Sequence, residues 1–324
     1  MRKMRTALLS TAALAAGFMV QSAMAADMAV RAPIVAPVVS HWDGLYVSFS
    51  AGGTSTNAKS TEIDNGTDTL NATVNGAQVL APVLPISIPF NYSDAMSGNE
   101  IGAVFTFTMG YNVVWGPWVA GIQSEVSYNK NQINLAGFGQ SNASTVLNIP
   151  GAPVGINLNR TGDVFANLSN DWTVSEMARI GYLIAPDWQV YGLVGWSWGG
   201  FKYDGYSAGA TGLQLLGLPP LIGGSFPPAG RNDATSLTLS GFTWGAGVEK
   251  DFGWLRAFIQ YKGISYSNKT NALAGNAAGT TSVTIPGVGL IAVTDTVASA
   301  ASRTFSADVS QVTAGVTIPL NWRP

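Results

Sequence analysis

SLTLSGFTWGAGVEKDFGWLRAFIQYKGISYS, residues 236–267, is typical of two β-strands joined by a short turn. On the first arm every second residue is apolar, namely Phe242, Trp244, Ala246 and Val248. The second arm repeats the alternation after a turn at residues 251–253, with Leu255, Ala257, Ile259 and Tyr261. The opposite face is mostly small or charged, so the stretch predicts a β-hairpin with one apolar face. A soluble sheet and a membrane barrel share this pattern, and the rest of the chain must separate them.

The same hairpin pattern recurs along the chain. A first strand begins at Trp42, further hairpins turn at residues 116–117 and 186–187, and a last strand runs through Val312 to Leu320. The strands alternate between short turns and long connections, roughly residues 54–97, 131–168, 204–235 and 268–304. An even number of antiparallel strands with short turns at one end and long loops at the other is typical of outer-membrane barrels. The predicted fold class is all-β, an eight-stranded antiparallel transmembrane β-barrel with four long extracellular loops.

Tryptophan placement favours the membrane barrel over a soluble sandwich. Six tryptophans fall beside the short turns or the chain ends: Trp42, Trp115, Trp118, Trp188, Trp254 and Trp322. Others, such as Trp198, lie about ten residues further along their strands, which corresponds to the height of an apolar belt of ~25 Å. Two interfacial rings of aromatic residues are therefore expected.

The N-terminus carries an export signal. Arg2, Lys3 and Arg5 precede an apolar run that ends at a small-residue site, Ala23-Met24-Ala25. This pattern predicts a signal peptide at residues 1–25. Proline-containing residues 26–41 are expected to form a periplasmic lead-in, and residues 42–324 the outer-membrane β-barrel.

Composition excludes several classes of function. Cysteine is absent, which excludes disulfides and thiol chemistry. Without the three basic residues of the predicted signal peptide, 13 Lys and Arg remain of 16, against 18 Asp and Glu. An acidic chain of this kind offers no basic surface for nucleic acid.

Three stretches resemble a known family. WDGLYVSFSAGG, EMARIGYLIAPDWQVYGLVGWSWGG and GFTWGAGVEKDFGWLRAFIQYK are similar to motifs of the small alphaproteobacterial outer-membrane proteins, OmpA-type eight-stranded barrels of the porin-like surface antigen group. The resemblance covers the strands, about half of the mature chain, and not the loops. It implies a location in the bacterial outer membrane, with lipid and lipopolysaccharide as surroundings.

Several charged side chains have the parity of the barrel interior: Glu100, Glu125, Arg179, Glu249, Arg256 and Lys262. A mutually neutralised plug is one interpretation, because an eight-stranded barrel is only wide enough inside for side chains. A narrow porin for small solutes lined by the same charges is the other. A secreted lipocalin-like binder would need an apolar interior, against which these charges argue.

No catalytic or cofactor site is predicted. His41 is the only histidine, so neither a hydrolytic triad nor a metal or haem site has its usual residues in the loops. We expect no enzyme activity, no cofactor and no metal.

The predicted loops contain apolar runs broken by proline, which suggests four β-arms that extend the barrel outwards. Exposed apolar arm tips predict contact with another hydrophobic surface, through self-association, through a neighbouring cell, or through an apolar small molecule. The expected contact residues are Leu84, Ile86, Ile149, Val154, Leu218, Leu221, Ile285, Val288, Leu290 and Ile291.

Overall fold

The computed structural model describes residues 42–74, 77–78, 85–149, 152–216, 222–273, 279–285 and 289–320. The predicted signal peptide, the lead-in with His41, and Trp322 lie outside these ranges. Within them, none of the secondary structure is a helix long and apolar enough to cross a membrane.

All described regular structure is β-strand, which confirms the all-β class. The strands are β1 (Gly44–Val74), β2 (Ala77–Gln78), β3 (Ile86–Trp115), β4 (Trp118–Ile149), β5 (Ala152–Ala185), β6 (Trp188–Leu216), β7 (Ile222–Asp251), β8 (Arg256–Tyr266), β9 (Lys269–Leu273), β10 (Gly279–Ile285) and β11 (Gly289–Pro319). Each paired neighbour is antiparallel. The short connections at residues 116–117, 186–187 and 252–255 lie where the sequence predicts turns.

Eight of these strands close a ring, in the order β1, β3, β4, β5, β6, β7, β8 and β11, and β11 pairs back onto β1. The ladder partners that start at Tyr46 lead through Gly110 and once around the barrel to Val309, whose partner on β1 is Thr56. The ring therefore closes with a stagger of ten residues, from position 46 to position 56. For eight strands this stagger corresponds to a tilt of about 40°, within the usual range for barrels.

Seven of the eight ring strands are about three times longer than predicted, whereas β8, with 11 residues, has about the predicted length. β4 alone has 32 residues, and most of the four segments predicted as loops continue the strands. The prediction of long loops is thus wrong in their extent, whereas the prediction of β-arms that continue the barrel agrees with the strand bounds. β4 ends at Ile149 and β5 begins at Ala152, on either side of Pro150. The described ladder between β7 and β8 ends at the pair Gly241 and Tyr266, on the side away from the short turn. Further from that turn, β9 pairs with β11.

The apolar residues change faces partway along the strands. On β6, Trp196 and Trp198 point outward and are exposed, whereas Phe201 and Tyr203 point inward and are buried. The same change occurs on β4, β7 and β11. We call the part next to the short turns the proximal section and the remainder the distal section, which comprises residues 57–74, 86–100, 130–149, 152–170, 201–216, 222–239, 269–273, 279–285 and 289–307. The proximal section is apolar outside and polar inside, and the distal section has the opposite arrangement.

Aromatic residues mark both borders of the proximal section. Trp115, Trp118 and Trp254 are exposed beside the short turns, and Tyr128, Trp172 and Trp198 are exposed at the far border. Trp42 differs from the prediction, because only 2% of it is exposed. Its indole Nε1 donates to the carbonyl of Pro186 at 3.2 Å, and its ring lies 5.0 Å from the Arg256 guanidinium. Trp42 therefore lies inside the barrel at the end next to the short turns, which we call the barrel floor. It is not part of the exposed belt of aromatic residues.

Candidate functional site

The interior of the proximal section begins with an ionic cluster at the barrel floor. Arg179 donates to both Glu249 and Gln189, and the Glu249 carboxylate lies 3.4 Å from Nε of Arg256. The Arg179 guanidinium also stacks 3.8 Å from the centre of the Tyr191 ring. The single carboxylate from β7 is thus shared by two guanidinium groups, from β5 and β8, and aromatic faces lie beside both cations. Alternation brings them together, since each has the inward parity of its strand.

A second ion pair lies above this floor. Nζ of Lys262 on β8 donates to the carboxylate of Glu125 on β4 across the interior, and both side chains are buried. Ser127 donates to the same carboxylate at 3.2 Å. Glu100 does not join either group, because the structure places it among the exposed residues. Residues 98–102 of β3, which include this position, have no ladder partner on β4 among the described pairs.

An apolar plug fills the interior where the distal section begins. Its rings pack edge to face, with centroid distances of 5.3 Å between Phe201 and Tyr266 and 5.0 Å between Tyr203 and Phe305. The plug consists of Ala58, Met96, Ile133, Leu135, Val164, Ala166, Leu168, Phe201, Tyr203, Leu237, Leu239, Ile264, Tyr266, Phe305, Ala307 and Val309. The apolar interior that the charge pattern argued against is therefore present, but only in this section.

Above the plug lies a charged group that the sequence analysis missed. The fully buried guanidinium of Arg303 on β11 donates to Glu62 on β1 and lies 3.4 Å from Asp94 on β3. Burial raises the pKa of the Asp94 carboxyl, although the nearby Arg303 opposes this. Burial likewise raises the pKa of Tyr203, whose ring lies 5.4 Å from the guanidinium, to about 12.

A third charged group lies nearer the tips. Arg160 on β5 donates to Asp68 on β1 and lies 3.5 Å from Asp295 on β11. Its guanidinium also stacks 4.0 Å from the centre of the Phe90 ring. Burial, reinforced by the adjacent Asp68 carboxylate, raises the pKa of Asp295 to about 6. Burial also raises the pKa of Asp68, against the attraction of Arg160. The two carboxyl groups are therefore suited to share one proton.

Inward parity was the signal that could have revealed both distal groups. Glu62, Asp94 and Arg303 alternate correctly with their neighbours, but a strand pattern is needed before parity has meaning. These positions lie in stretches whose composition is typical of loops, so the direction of their side chains could not be deduced from the sequence. Among the described residues, no group of three or more His, Cys, Asp or Glu side chains is arranged to hold a metal ion.

The predicted tip residues are described only in part. Ile86 is half-buried at the start of β3. Leu84, Leu218, Leu221 and Val288 lie outside the described residues. The backbones of five others lie in β4, β5, β10 and β11, but their side chains are outside the described part; they are Ile149, Val154, Ile285, Leu290 and Ile291.

Taken from floor to tip, the interior alternates between ionic groups and an apolar layer. A continuous water-filled path through the described part would have to pass the 16 buried residues of the plug. Chemically, this arrangement holds each of these guanidinium and ammonium groups beside a carboxylate.

Comparisons with known proteins add little to this picture. No protein-family model matches the chain, and no curated protein matches it in sequence. Among solved structures, it is similar to Ail, the attachment invasion locus protein of Yersinia pestis, with 11% identity over 80% of this chain and 98% of that one, and a TM-score of 0.24. It is also similar to the outer membrane protease OmpT from Escherichia coli, with 10% identity over 85% of this chain and 96% of that one, and a TM-score of 0.22. These identities and TM-scores are too low to transfer an activity or a partner to the chain.

Proposed function

We propose that this protein is a non-conducting outer-membrane β-barrel that holds its strand tips well above the cell surface. The observation that carries the proposal is the exchange of apolar and polar faces between the two sections. An outward apolar face with a polar interior suits a section surrounded by lipid, and the reverse suits a section surrounded by water. Aromatic rings at both borders of the proximal section support the same membrane position.

The height of the apolar belt is consistent with this proposal. Trp188 and Trp198 border the proximal section on β6, ten positions apart. With a rise of ~3.3 Å per residue and a tilt of about 40°, they are separated by ~25 Å along the barrel axis. This matches the apolar band of outer-membrane barrels.

The polar interior leaves a narrow porin as the competing function. The apolar plug argues against it, because ions would have to cross a layer of close-packed rings and aliphatic chains without water. The two ionic groups of the proximal section have internal partners, which favours the plug interpretation. We accordingly infer a structural or surface role, without enzyme activity and without a cofactor.

Fractionation and conductance together test this function. The expressed chain should sediment with the outer membrane and migrate faster on SDS gels when unheated than when boiled. Reconstituted in planar bilayers, it should give no current above that of protein-free detergent. Stable unitary currents would overturn the non-conducting role, and a chain that remains soluble without detergent would overturn the membrane location.

For the tips, we infer contact with another hydrophobic surface, with further copies of this chain as the first candidate partner. The support is the charge-free apolar composition of residues 281–293, interrupted by Pro286 and Gly287. Substituting Ile285, Val288, Leu290 and Ile291 by Ser should lower self-association and cell-surface hydrophobicity and leave heat-modifiable migration intact. Unchanged association in a folded variant would contradict the proposal. An apolar small molecule as tip ligand would appear instead as ligand-dependent protection from heat.

The resemblance to the small alphaproteobacterial outer-membrane proteins belongs to the same proposal. It rests on the three stretches quoted above, which lie almost entirely in the proximal section. The distal section has no counterpart in those motifs, so the height of this barrel is proposed to be its own specialisation.

A further inference from the structure

The outer wall of the distal section carries one aromatic cluster. Phe165 on β5 and Tyr206 on β6 are direct ladder partners. Phe138 on β4 lies diagonally across from Phe165, whose own partner on that strand is Ala136. The exposed fractions of Phe138, Phe165 and Tyr206 are 55%, 55% and 47%. Among the described side chains of the distal section, no other aromatic one is exposed on the outer wall.

A polar row lies beneath these rings, on the side nearer the belt, one outward position from Phe165 and Tyr206 and two from Phe138. Asn134 pairs with Asn167, and Asn167 pairs with Asp204, so the row crosses the same three strands. All three side chains are exposed. Ala136, between Asn134 and Phe138, leaves space beside the Phe165 ring. The result is an exposed aromatic surface edged by amide and carboxylate groups, which we call the aromatic strip.

We propose that the aromatic strip binds saccharide, and that its ligand is the sugar portion of lipopolysaccharide in the leaflet around the barrel. The C–H faces of a pyranose ring pack on aromatic rings, and its hydroxyl groups both donate and accept hydrogen bonds. Asn side chains offer a donor and an acceptor each, and Asp204 adds an acceptor. This combination suits a hydroxylated ring better than a hydrocarbon chain, which would leave the polar row without partners.

The position of the aromatic strip indicates which molecule supplies the sugar. This inference rests on the proposed outer-membrane location. Phe165 lies seven residues above Trp172 on β5, and Tyr206 lies eight above Trp198 on β6. At ~2.5 Å of height per residue, the rings are ~17 to 20 Å above the apolar belt. The aromatic strip also faces sideways, towards molecules that stand beside the barrel in the same leaflet. A ligand that arrived from above would meet the tips first.

The size of the aromatic strip argues against a second copy of this chain as occupant. Three aromatic side chains that are about half exposed offer roughly 300 Å² of apolar surface. A stable protein interface buries about 800 Å² on each partner. The surrounding outward positions are small or polar, so the aromatic strip cannot be extended to that size with similar residues.

Saccharide binding can be measured on the full chain in detergent micelles, which separates it from the membrane location. The probes are core oligosaccharide released from the lipopolysaccharide of the organism that carries the chain, and lipid A alone. Saturation-transfer NMR should report contact of sugar ring protons with the wild type. In the double variant Phe165→Ser and Tyr206→Ser, affinity should fall about tenfold or more, since each ring contributes part of the stacking. Asn167→Ala should also weaken binding.

Ile63→Ser is the matched control, because Ile63 is an exposed apolar residue on the outer wall of the distal section, on β1. It should leave binding unchanged, and all variants should keep heat-modifiable migration. Equal binding of the oligosaccharide by the double variant and the wild type would overturn the proposal. So would a wild type that binds lipid A but not the oligosaccharide. Dimerisation of the wild type that the double variant abolishes would also overturn it, in favour of a second copy. A chain that binds the sugar but fails to fractionate with the outer membrane would refute only the proposed location.

Discussion

At the residue scale, the distal section depends on charges that are buried with their partners. Arg303 is fully buried, and two carboxylates from neighbouring strands lie beside its guanidinium. Such a group adds little net stability over an apolar core, but removal of one member leaves the others uncompensated. Its value lies in register, because a slip of β1, β3 or β11 by one residue would turn a charge to the outside.

Replacement of Arg303 should therefore be far more harmful than replacement of the whole group. Arg303→Met leaves Glu62 and Asp94 buried together and should lower the free energy of unfolding by about 3 to 5 kcal/mol. The triple variant Arg303→Met, Glu62→Gln and Asp94→Asn should recover most of the loss. Urea unfolding of the protein in lipid vesicles measures both changes. A single variant as stable as the wild type would mean that water reaches these carboxylates.

Asp295 gives the distal section a pH-dependent stability. Because burial and Asp68 raise its pKa from 3.8 to about 6, the folded chain holds this proton more tightly than the unfolded chain. The resulting stabilisation is complete below pH 3.8 and is lost as the pH rises through about 6. The charged groups beside the Asp295 carboxyl are the carboxyl of Asp68 and the guanidinium of Arg160.

Hydrogen exchange should detect this loss. Between pH 5 and 7, protection of amides in residues 289–307, corrected for intrinsic exchange, should decrease in the wild type. Asp295→Asn removes the ionisation, so its protection should vary less over the same range. Asp308→Asn, which changes an exposed aspartate on the same strand, should behave as the wild type. An equal pH response in all three proteins would show that Asp295 does not titrate in this window.

At the element scale, the strands show what alternation can and cannot reveal. The proximal halves were predictable because an outward apolar face beside small or charged inward residues gives a clean period of two. In the distal halves most outward positions are Asn, Gln, Ser, Thr or Ala, a composition that resembles loops. Apolar residues continue with period two, but in the opposite phase, as in Leu237 and Leu239 against Phe242 and Trp244 on β7. Separate analysis of each phase would have extended the ring strands other than β8.

The phase change makes a quantitative prediction about the membrane border. Ile259 on β8 is an outward residue near the middle of the proximal section, and Ile259→Arg should cost about 2 to 4 kcal/mol in lipid vesicles. Asn134→Arg, an outward change in the distal section, should cost no more than about 0.5 kcal/mol. Urea unfolding in the same vesicles compares the two variants directly. An equal loss of unfolding free energy in the two variants would mean that both sections are surrounded by the same medium, lipid or water.

At the scale of the whole molecule, the interior is sealed at several independent levels. The floor cluster and the Lys262 pair were within reach of the sequence, because their strands have clear alternation. The plug and the distal charges were not, because their facing depends on strand pairing far from any turn. Long-range pairing between β1 and β11, which joins residues 46 and 319, has no local signal in the sequence. The distal barrel is thus specified mainly by the interior contacts that close it.

The length of the barrel leads to the last prediction. On β4, the exposed Tyr128 lies at the far border of the proximal section and Ile149 at the strand end, 21 positions further. At ~2.5 Å per residue along the axis, the distal section should rise ~50 Å above the bilayer. Atomic force microscopy of the reconstituted protein should therefore find molecules of about this height on one face of the membrane. The short turns on the other face should protrude little, which provides an internal control. Protrusions of equal height on both faces, or a tall face reduced to about 10 Å, would mean that the distal strands do not stand as a continuous barrel.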